Sequence, residues 1–564
     1  MTWPRPIPTI GDATSAATRA GDPRGWAFEP VMIDALYRAI HTRRDIRRFR
    51  SDPIEPAVLQ RVLGAAHAAP SVGHSQPWRF ILVEDAATRD RAAWMADRER
   101  LRQAGQLEPA AAEHLLDLKL DGIREAPLGV VVCCDRRVPA AGVLGRATFK
   151  DTDMWSCACS IENLWLTARA EGLGVGWVTL FPPHELAALV GLPTGVVPLG
   201  WLCIGWPDER PPDPGLERAA WSRRLSLDEV VLHERWPNND DPMPPRSRLR
   251  APTPTAVVDA RDGADTILSP PSSLGVLDAI VDRVVALGHA DVRGGTLVLA
   301  GGRHLVADLS VSAYDASITD DVLSAAKAGQ ALGPSTAAEA GLDVVVVDGG
   351  SSSGNLRDAD ALTQQRVSEL LEQGRTLGGT VAPNGLVALG EVGVGNTTAA
   401  AALTALLLGL TAEGCVGRGA GADSAMLRRK RDVVNAALQR VRSEQPTAGP
   451  GDPLQAMACL GGPEFALLVG VTVGAVEAGA VVVLDGLATS VAALVAVLLE
   501  PAVAMHLVAG QRSREVAHTS VLAELGLEPL LDLRIRAGEG VGAAMAAGLL
   551  LQAIAVRRTV ARTS

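Results

Sequence analysis

A proline-rich stretch divides this chain into two parts of different composition. All eleven tryptophans lie at or before Trp236, and the residues after it contain none. Between residues 236 and 256, proline, asparagine and aspartate replace the apolar pattern, which is typical of a linker. A chain of 564 residues is also longer than one hydrophobic core usually organises. We therefore predict a mobile arm at 1–29, a domain at 30–236, a linker at 237–267 and a second domain at 268–557.

Charge and cysteine content narrow the class of protein. The net charge of −11 and the pI near 5.5 give no broad attraction for nucleic acid or for an anionic membrane. The seven cysteines are scattered without the spacing of a zinc site, so we predict no metal and a reducing, cytoplasmic location. The most apolar stretch, 465–510, is broken by Glu477, Asp485 and Glu500, which favours a buried core over a membrane span.

The second part of the chain alternates short β-branched runs with alanine- and leucine-rich runs. Examples of the first kind are TLVLAGG, LDVVVVDGG, GLVALGEVGVG and AVVVLDG. Buried strands that end in glycine and lead into helices predict an α/β domain with a largely parallel sheet. Ligands of such sheets bind at the carboxyl ends of the strands, so we expect the functional residues of this domain there.

Four arginines surround one carboxylate in the first part of the chain, in the segment RRDIRR at 43–48. Arginine donates in a fork that suits a phosphate, although a solvated basic face is the alternative. A turn-rich loop at 69–78 and a glycine-rich stretch at 172–179 follow later. Three alternate glycines in that stretch permit close approach of a planar ligand, but glycines also serve capping and packing.

Taken in order, several motifs resemble the 5,6-dimethylbenzimidazole synthase branch of the nitroreductase-like flavoproteins: RRDIRRF, AAHAAPSVGHSQPWRFI, LKLDGIREAP, VLGR, IENLWLTARAEGLGVGWV and WLCIGW. The resemblance covers about residues 30–236. It implies an α+β fold and a homodimer with flavin mononucleotide (FMN) at the subunit interface. It also implies that oxygen and reduced FMN are substrates, since this family fragments the flavin to dimethylbenzimidazole instead of recycling it.

The same resemblance assigns roles to individual residues. Asp45 would assist proton movement, and Thr179 stands where the family has a serine, which keeps the hydroxyl and adds a methyl group. The residues implied to bind FMN are Arg43, Arg44, Arg47, Ser71, Gly73 and Gly176. An alternative is a flavin-recycling NAD(P)H oxidoreductase, which stoichiometric loss of flavin in oxygen would exclude. The electron donor is left open, with a separate flavin reductase as one source.

Three glycine-rich loops of the second part carry polar residues. In GEVGVGNTT, which follows a predicted strand, Asn396 or Thr397 can cap a helix whose free amides would receive a phosphate. No lysine follows these glycines, so this is not a Walker loop. GRGAGAD at 417–423 adds a second flexible loop. RIRAGEGVG at 534–542 places Glu539 between glycines as a general-base candidate, although loop glutamates are commonly idle.

A second ordered set of motifs resembles nicotinate-nucleotide:dimethylbenzimidazole phosphoribosyltransferase across about residues 268–557: GEVGVGNTTAAAAL, GRGAGAD, LRRKRDVV, GGPEFALLVG, AGQRSREVAH and LGLEPLLDLRIRAGEGVGAAMA. The resemblance implies transfer of phosphoribose from nicotinate mononucleotide to dimethylbenzimidazole, with inversion at the sugar. It assigns the proton acceptor to Glu539 and a ribose contact to Glu391. The other residues implied to bind substrate are Gly393, Gly395, Asn396, Thr397, Gly417, Gly419, Lys430 and Ser312.

One segment departs from that family. Where the family has AGDHGV, this chain has AGGRHLV at 300–306, in a region that lies near the base pocket of the family. We therefore expect an altered base preference or rate. A non-catalytic domain that binds a benzimidazole or nucleotide is the alternative, which turnover that disappears in Glu539→Gln would exclude. Together the two resemblances predict consecutive steps of cobalamin lower-ligand assembly in one cytoplasmic enzyme.

Overall fold

The structure, a computed structural model, describes residues 3–6, 14–118, 122–237, 247–249, 252–419 and 421–563. The chain divides into two units, a first unit of residues 24–240 and a second unit that combines residues 1–23 with 241–564. Of the linker predicted at 237–267, residues 238–246 and 250–251 lie outside the described residues. The end of that segment is helical from Pro254 to Asp265, because Thr253 caps a helix there and Pro254 occupies its first turn.

The first 23 residues group with the second unit and not with the unit that follows them in sequence. Helix α1 (Ala16–Gly21) carries Arg19, which forms an ion pair with Asp265 at 3.3 Å. Trp3 forms a backbone bridge with Thr563 near the end of the chain. Of the arm predicted at 1–29, residues 1–2 and 7–13 lie outside the described residues.

A four-stranded antiparallel sheet and eight helices build the described part of the first unit, and the α+β prediction is confirmed. The strands, in the order β1-β2-β4-β3, are β1 (Trp78–Val83), β2 (Leu128–Asp135), β3 (Gly174–Val178) and β4 (Val196–Gly205). The helices are α2 (Pro30–Thr42), α3 (Pro56–His67), α4 (Ala86–Ala104), α5 (Pro109–Asp117), α6 (Thr152–Ala170), α7 (Pro183–Leu189), α8 (Gly215–Arg218) and α9 (Leu227–Val230).

Strand β2 is buried on both faces, which explains its unbroken apolar sequence. Val130 and Val132 belong to a cluster that includes residues of α3 and α6. Val131 and Cys133 point the other way and pack with residues of α4. Helix α6 is therefore fixed against one face of the sheet, where it carries residues of the candidate site.

Five parallel strands form the sheet of the second unit, which confirms the predicted α/β domain. Their order is β6-β5-β7-β8-β9, with β5 (Gly295–Arg303), β6 (Leu342–Ser351), β7 (Leu386–Val392), β8 (Val482–Leu484) and β9 (Leu507–Ala509). The helices are α10 (Pro254–Asp265), α11 (Val276–Ala286), α12 (Ile318–Lys327), α13 (Leu332–Glu339), α14 (Gln364–Val381), α15 (Asn396–Leu408), α16 (Ala412–Cys415), α17 (Ser424–Glu444), α18 (Pro453–Leu460), α19 (Pro463–Glu477), α20 (Leu487–Leu499), α21 (His518–Glu524) and α22 (Val541–Thr559).

Helices α19 and α20, from the most apolar stretch, lie in the core of the second unit, as predicted. Glycines let α19 approach α14 closely: a Cβ atom at Gly378 would lie 2.2 Å from the carbonyl oxygen of Val471, and one at Gly470 would lie 2.1 Å from that of Leu371. Among the described residues one helix, α22, has the length and apolarity of a membrane span, and half of that stretch is buried inside the protein.

Candidate active sites

Asp45 lies where the arginine-rich segment runs beside β3. The amide of Ile46 donates to the carbonyl oxygen of Val175 at 3.0 Å, which holds the segment against the strand. The amide of Trp177 donates to Oδ1 of Asp45 at 3.1 Å. Arg47 forms an ion pair with the same carboxylate and donates to the carbonyl oxygen of Trp177 at 3.0 Å. A backbone amide and a guanidinium therefore fix the orientation of this acid.

The surroundings of Asp45 pull its pKa in two directions. Desolvation by the residues packed around Asp45 raises its pKa. This effect exceeds the lowering by the positive charge of Arg47 and by the amide of Trp177. The Asp45 side chain nevertheless keeps 41% of its surface exposed, so it can reach a bound molecule. An acid with a raised pKa at an open site suits a role in proton transfer.

The glycines of β3 make room for the segment that carries Asp45 and Ile46. A Cβ atom at Gly174 would lie 2.9 Å from the side chain of Ile46, and one at Gly176 would lie 2.3 Å from the Ile46 carbonyl oxygen. These positions are glycine because the segment carrying Asp45 packs against them. The packing alternative therefore explains Gly176 without the close ligand approach that its sequence motif suggests.

Arg43 and Arg44 use their guanidinium groups differently. Arg44 donates to the carbonyl oxygens of two preceding residues, each at 2.8 Å, and to that of Pro212 at 2.5 Å, so it ties backbone segments together. Arg43 lies over the ring of Trp165, with Cζ 4.6 Å from the ring centre, and its ion pair with Glu162 is long, at 3.8 Å. Arg43 is therefore better placed than Arg44 to contact an anionic ligand.

Ser71 and Gly73 lie near the opposite end of α6 from Trp165. The amide of Val72 donates to Oγ of Ser156, in the first turns of α6, at 3.1 Å. Ser156 and Trp165 are nine residues apart, which corresponds to about 13 Å along a helix. The predicted FMN-binding residues Ser71 and Gly73 thus lie about 13 Å along this helix from Arg43, which stacks on Trp165.

A groove of about 540 Å³ opens beside the loop of Ser71, and most of its lining lies in the motif AAHAAPSVGHSQPWRFI. Its lining residues are Leu63, His67, Ser75, Gln76, Trp78, Arg79 and Phe80. Asp45 is not among them, so the groove and the Asp45 site are separate features.

Thr179, the predicted hydroxyl residue, is exposed just after β3, two residues beyond the amide that holds Asp45.

The predicted phosphate loop of the second unit leads from β7 into α15. Gly395, with a φ of +95°, is the N-cap of α15 and supplies no side-chain cap. The prediction that Asn396 or Thr397 caps this helix is wrong, since Asn396 instead donates to the carboxyl group of Glu391. Uncapped amides at a helix N-terminus attract an anion, so this turn suits a phosphate.

Lys430 joins the two predicted phosphate loops. It is buried, and its Nζ donates to Oγ1 of Thr397 at 3.0 Å. A Cβ atom at Gly419 would lie 3.2 Å from the same Nζ, so the lysine passes directly beside the second loop. Burial lowers the pKa of Lys430, and the negative charge of Glu515 opposes this shift. The structure therefore brings together the residues of both loops around one cation.

Glu515 is a residue of this site that the sequence reasoning missed. Its Oε1 accepts a hydrogen bond from the amide of Gly419 at 2.9 Å. Its Oε2 is buried without a hydrogen-bond partner among the described residues, and a Cβ atom at Gly417 would lie 2.3 Å from it. The motif AGQRSREVAH contains this acid, but no role could be read from the motif alone.

Glu391 lies at the end of β7 among three other acids. Burial raises the pKa of Glu391 to about 8, with the charges of Glu464, Asp485 and Glu539 adding to the effect and the hydrogen bond from Asn396 opposing it. At neutral pH Glu391 therefore holds a proton. A protonated carboxyl group can donate a hydrogen bond as well as accept one, which suits contact with a ribose hydroxyl.

Glu539 occupies a strained backbone position beside Glu391. Its φ is +60°, a conformation that glycine adopts more readily. The carboxyl Oε2 accepts a hydrogen bond from the amide of Gly333 at 3.1 Å. A Cβ atom at Gly333 would lie 2.1 Å from the Glu539 carbonyl oxygen, and one at Gly390 would lie 2.8 Å from it. Such strain persists where the surrounding structure enforces it, typically at functional sites.

His304, from the segment that departs from the family pattern, lies under the phosphate loop. The ring is buried, and its Nε2 is 2.6 Å from Oε1 of Glu464, an acid 160 residues further along the chain. A Cβ atom at Gly393 would lie 3.3 Å from the same Nε2. The departing segment thus retains a histidine with an acid partner, although the neighbouring aspartate of the family pattern is absent. Ser312 accepts a hydrogen bond from the amide of Tyr314 at 3.1 Å.

Asp485, an acid to which the sequence analysis assigned no role, follows β8 and is buried. Its Oδ1 accepts hydrogen bonds from the side chain of Gln511 and the amide of Gly542, each at 2.9 Å. Burial raises the pKa of Asp485 to about 7 against these hydrogen bonds. Because Gly542 is in the first turn of α22, Asp485 anchors the helix that follows Glu539.

The folds and sites define two enzyme classes within one chain. Residues 40–206 match the model of the nitroreductase family, and residues 249–564 match that of the phosphoribosyltransferases. The first part is 43% identical over 202 residues to the 5,6-dimethylbenzimidazole synthase of Rhodospirillum rubrum, a match that covers 36% of this chain and 95% of the relative.

The second part is similar to nicotinate-nucleotide–dimethylbenzimidazole phosphoribosyltransferases. The relative from Thermus thermophilus is 37% identical over 321 residues, which covers 53% of this chain and 93% of the relative. The crystal structure of CobT from Thermus thermophilus superimposes with a TM-score of 0.51 at 36% identity, over 54% of this chain and 96% of that one. The chain therefore belongs to both families and is a fusion of a dimethylbenzimidazole synthase relative with a phosphoribosyltransferase.

Proposed function

We propose that this chain is a bifunctional enzyme of cobalamin lower-ligand assembly. Its first unit fragments reduced FMN with oxygen to 5,6-dimethylbenzimidazole. Its second unit transfers phosphoribose from nicotinate mononucleotide to that base and gives α-ribazole 5'-phosphate and nicotinate. The observation that carries the proposal is the fusion itself, because the base named in the first unit's relatives is also the base named in the second unit's relatives. A shared chain raises the local concentration of the intermediate.

The first unit offers groups that fit a flavin phosphate and a proton transfer. Arg43, stacked on Trp165 and only loosely paired, is the cation that would hold the phosphate. Reduced FMN, when bound, supplies the carbon atoms of the product base. Asp45 would take up and release protons, held in place by Arg47 and by the Trp177 amide. The hydroxyl of Thr179 would contact the reacting edge of the same ligand.

The second unit offers groups for each part of the phosphoribosyl transfer. The turn at Gly395 and Lys430 would bind the phosphate of nicotinate mononucleotide. The bond from the sugar carbon to the nicotinate nitrogen breaks as a bond to the incoming base nitrogen forms. Glu539 accepts the proton that the base nitrogen loses. Glu391, protonated at neutral pH, would donate to a ribose hydroxyl.

We further propose that the first unit forms a homodimer. None of the residues of α2 is buried, and five large apolar side chains on it are at least 41% exposed: Val31, Met32, Leu36, Tyr37 and Ile40. An apolar helix surface of this size is normally covered by another protein surface. A second copy would also bring a second set of FMN-binding groups near the first. We propose a cytoplasmic enzyme of small molecules that needs no metal, membrane or nucleic acid, with a separate flavin reductase as the source of reduced FMN.

The test is one aerobic reaction of the whole protein with reduced FMN and nicotinate mononucleotide, followed by mass spectrometry. FMN labelled with ¹³C in the dimethyl ring makes the fate of the flavin visible. We expect loss of flavin and label in α-ribazole 5'-phosphate. Flavin recovered intact would overturn the function of the first unit in favour of a flavin-recycling oxidoreductase. Labelled dimethylbenzimidazole without α-ribazole phosphate would overturn the function of the second unit.

Two variants separate the half-reactions. Asp45→Asn should form no dimethylbenzimidazole from FMN but should still use added dimethylbenzimidazole. Glu539→Gln should accumulate dimethylbenzimidazole and form no α-ribazole phosphate. Each variant thus serves as the folding control for the other. Loss of both activities in either variant would contradict the assignment of these two residues to separate reactions.

A further inference from the structure

Arg303, in the segment that departs from the family pattern, contacts two acids on neighbouring elements. Its Nε donates to Oδ1 of Asp320 at 2.8 Å. Its Nη1 and Nη2 donate to the two carboxylate oxygens of Asp348 at 2.8 and 3.0 Å. Asp320 lies in the first turn of α12, and Asp348 lies in β6. One guanidinium group therefore joins the end of β5 to β6 and to α12.

Helix α12 in turn contacts the phosphate loop. Thr319, the neighbour of Asp320, is buried, and its Oγ1 accepts a hydrogen bond from the amide of Val394 at 3.0 Å. Val394 lies between the two glycines of the loop, Gly393 and Gly395. A shift of α12 would therefore move the acceptor that holds the centre of this loop.

Exposure argues against a role for Arg303 in stability alone. The side chains of Arg303, Asp320 and Asp348 are 32%, 55% and 35% exposed. Ion pairs this exposed contribute at most about 1 kcal/mol to folding, because water screens them. A planar guanidinium that contacts two carboxylates nevertheless restricts where both carboxylates lie. The contacts of Arg303 are thus suited to positioning.

We propose that Arg303 is a positioning residue for the nucleotide site, which holds α12 so that Thr319 keeps the phosphate loop in its binding geometry. The proposal rests on the proposed function of the second unit. Arg303 acts through Asp320 and Thr319 and contacts no reacting atom. The arginine of the departing segment therefore acts on the nucleotide, in addition to any effect on the choice of base.

The test uses steady-state kinetics of the whole protein with nicotinate mononucleotide and added dimethylbenzimidazole. Arg303→Met should raise the KM for nicotinate mononucleotide by about 2- to 10-fold, the effect of one weakened hydrogen bond, with kcat much less affected. Thr319→Val should cause a similar rise in KM. The KM of the double variant should be no higher than that of either single variant, because both substitutions act on one chain of contacts. The KM of Arg303→Lys should lie between those of the wild type and Arg303→Met, since lysine keeps the positive charge but cannot make the bidentate contact.

Arg375→Met is the matched control. Arg375 also makes a bidentate ion pair, with the carboxylate of Glu477 at 2.6 and 2.7 Å. This pair joins α14 to α19 and does not involve α12. Arg375→Met should lower the melting temperature about as much as Arg303→Met does, and it should leave the KM for nicotinate mononucleotide unchanged. Asp320→Asn tests the same contacts with the guanidinium in place and should also raise the KM.

The outcomes distinguish this proposal from the proposed function. An inactive wild-type protein would overturn the function of the second unit. An active wild-type protein whose KM is unchanged by Arg303→Met or by Asp320→Asn would overturn the positioning role alone. Additive effects of Arg303→Met and Thr319→Val would also overturn it, because they would place the two residues in independent interactions.

Discussion

Asp45 and Glu391 are acids of the two candidate sites whose pKa is raised by desolvation, but different neighbours oppose the shift. At Asp45 the opposing group is the guanidinium of Arg47. At Glu391 it is the neutral amide of Asn396, and three further acids reinforce the shift. A positive charge opposes the shift in the pKa of an acid more strongly than an amide does, so the two acids should respond differently to substitution of their neighbours.

Arg47→Met should move the pH dependence of dimethylbenzimidazole formation to higher pH. The substitution removes the charge that lowers the pKa of Asp45, so the acid ionises only at a higher pH than in the wild type. The measurement is kcat for base formation against pH at saturating reduced FMN. Arg98→Met, which breaks the exposed ion pair with Glu185, is the control and should leave the profile in place. An unshifted profile in Arg47→Met would show that Asp45 does not govern the pH dependence.

Glu391 and Asp485 should make the second unit less stable as the pH rises. Their pKa values are raised to about 8 and about 7, so both acids stay protonated in the folded protein while the unfolded chain has already lost these protons. The free energy of unfolding therefore falls between about pH 5 and about pH 8. Glu391→Gln should flatten this dependence in calorimetric melts. An equally steep fall in the variant would disprove the raised pKa of Glu391.

At the residue scale, the family resemblance grouped substrate-binding residues from three separate motifs, but it missed the acids Glu515 and Glu464. The closeness of Lys430 to Thr397 and Gly419 agrees with the phosphate site predicted there. Glu464 could not be predicted as the partner of His304, because 160 residues separate them and only the folded sheet brings them together. The roles of the predicted residues remain proposals that the variants above test.

At the scale of elements, glycine spacing controls how closely α14 and α19 approach. Gly374 and Gly378 of α14 face α19, where Cβ atoms would lie 2.0 and 2.2 Å from carbonyl oxygens. At Gly379, the next residue, a Cβ atom would make only an ordinary contact with α19, 3.9 Å from the carbonyl oxygen of Gly474. Neighbouring glycines of one helix thus serve different purposes.

Gly378→Ala and Gly379→Ala should therefore have opposite effects on stability. The first forces the two helices apart and should cost about 1–3 kcal/mol. The second removes backbone freedom from the unfolded chain and should stabilise by up to about 1 kcal/mol. Melting temperatures of the two variants against wild type provide the measurement. Equal shifts of the same sign would show that the helices are not in close contact.

The parallel sheet could be predicted because its buried strands are apolar runs that lead into helices. Three local features could not. Gly395 rather than Asn396 is the N-cap of α15, because the side chain of Asn396 turns back to Glu391. Helix α10 lies inside the predicted linker, since a short helix after proline resembles a linker in composition. Gly176 is required by the backbone of Ile46, a contact between distant segments.

At the scale of the whole molecule, the division of the chain does not follow the sequence order. Residues 1–23 and 241–564 form one unit, and residues 24–240 form the other. Composition predicts an arm at 1–29 and a domain boundary at residue 236, where the tryptophans end, whereas the two units divide at residues 23 and 240. Composition reports which residues a segment contains and not which distant surface it packs on.

The first unit is consequently an insertion with two covalent attachments. A protease site introduced after Asp240 should therefore yield two fragments that still elute together under native conditions, because helix α1 contacts the second unit, for example through the ion pair of Arg19 with Asp265. Removal of residues 1–23 should lower the fraction of fragments that elute together after cleavage. Fragments that separate with the arm present would show that the arm packs too weakly to act as an anchor. An engineered chain that lacks the first unit, or carries it in another protein, therefore needs two splice points, one before residue 24 and one after residue 240.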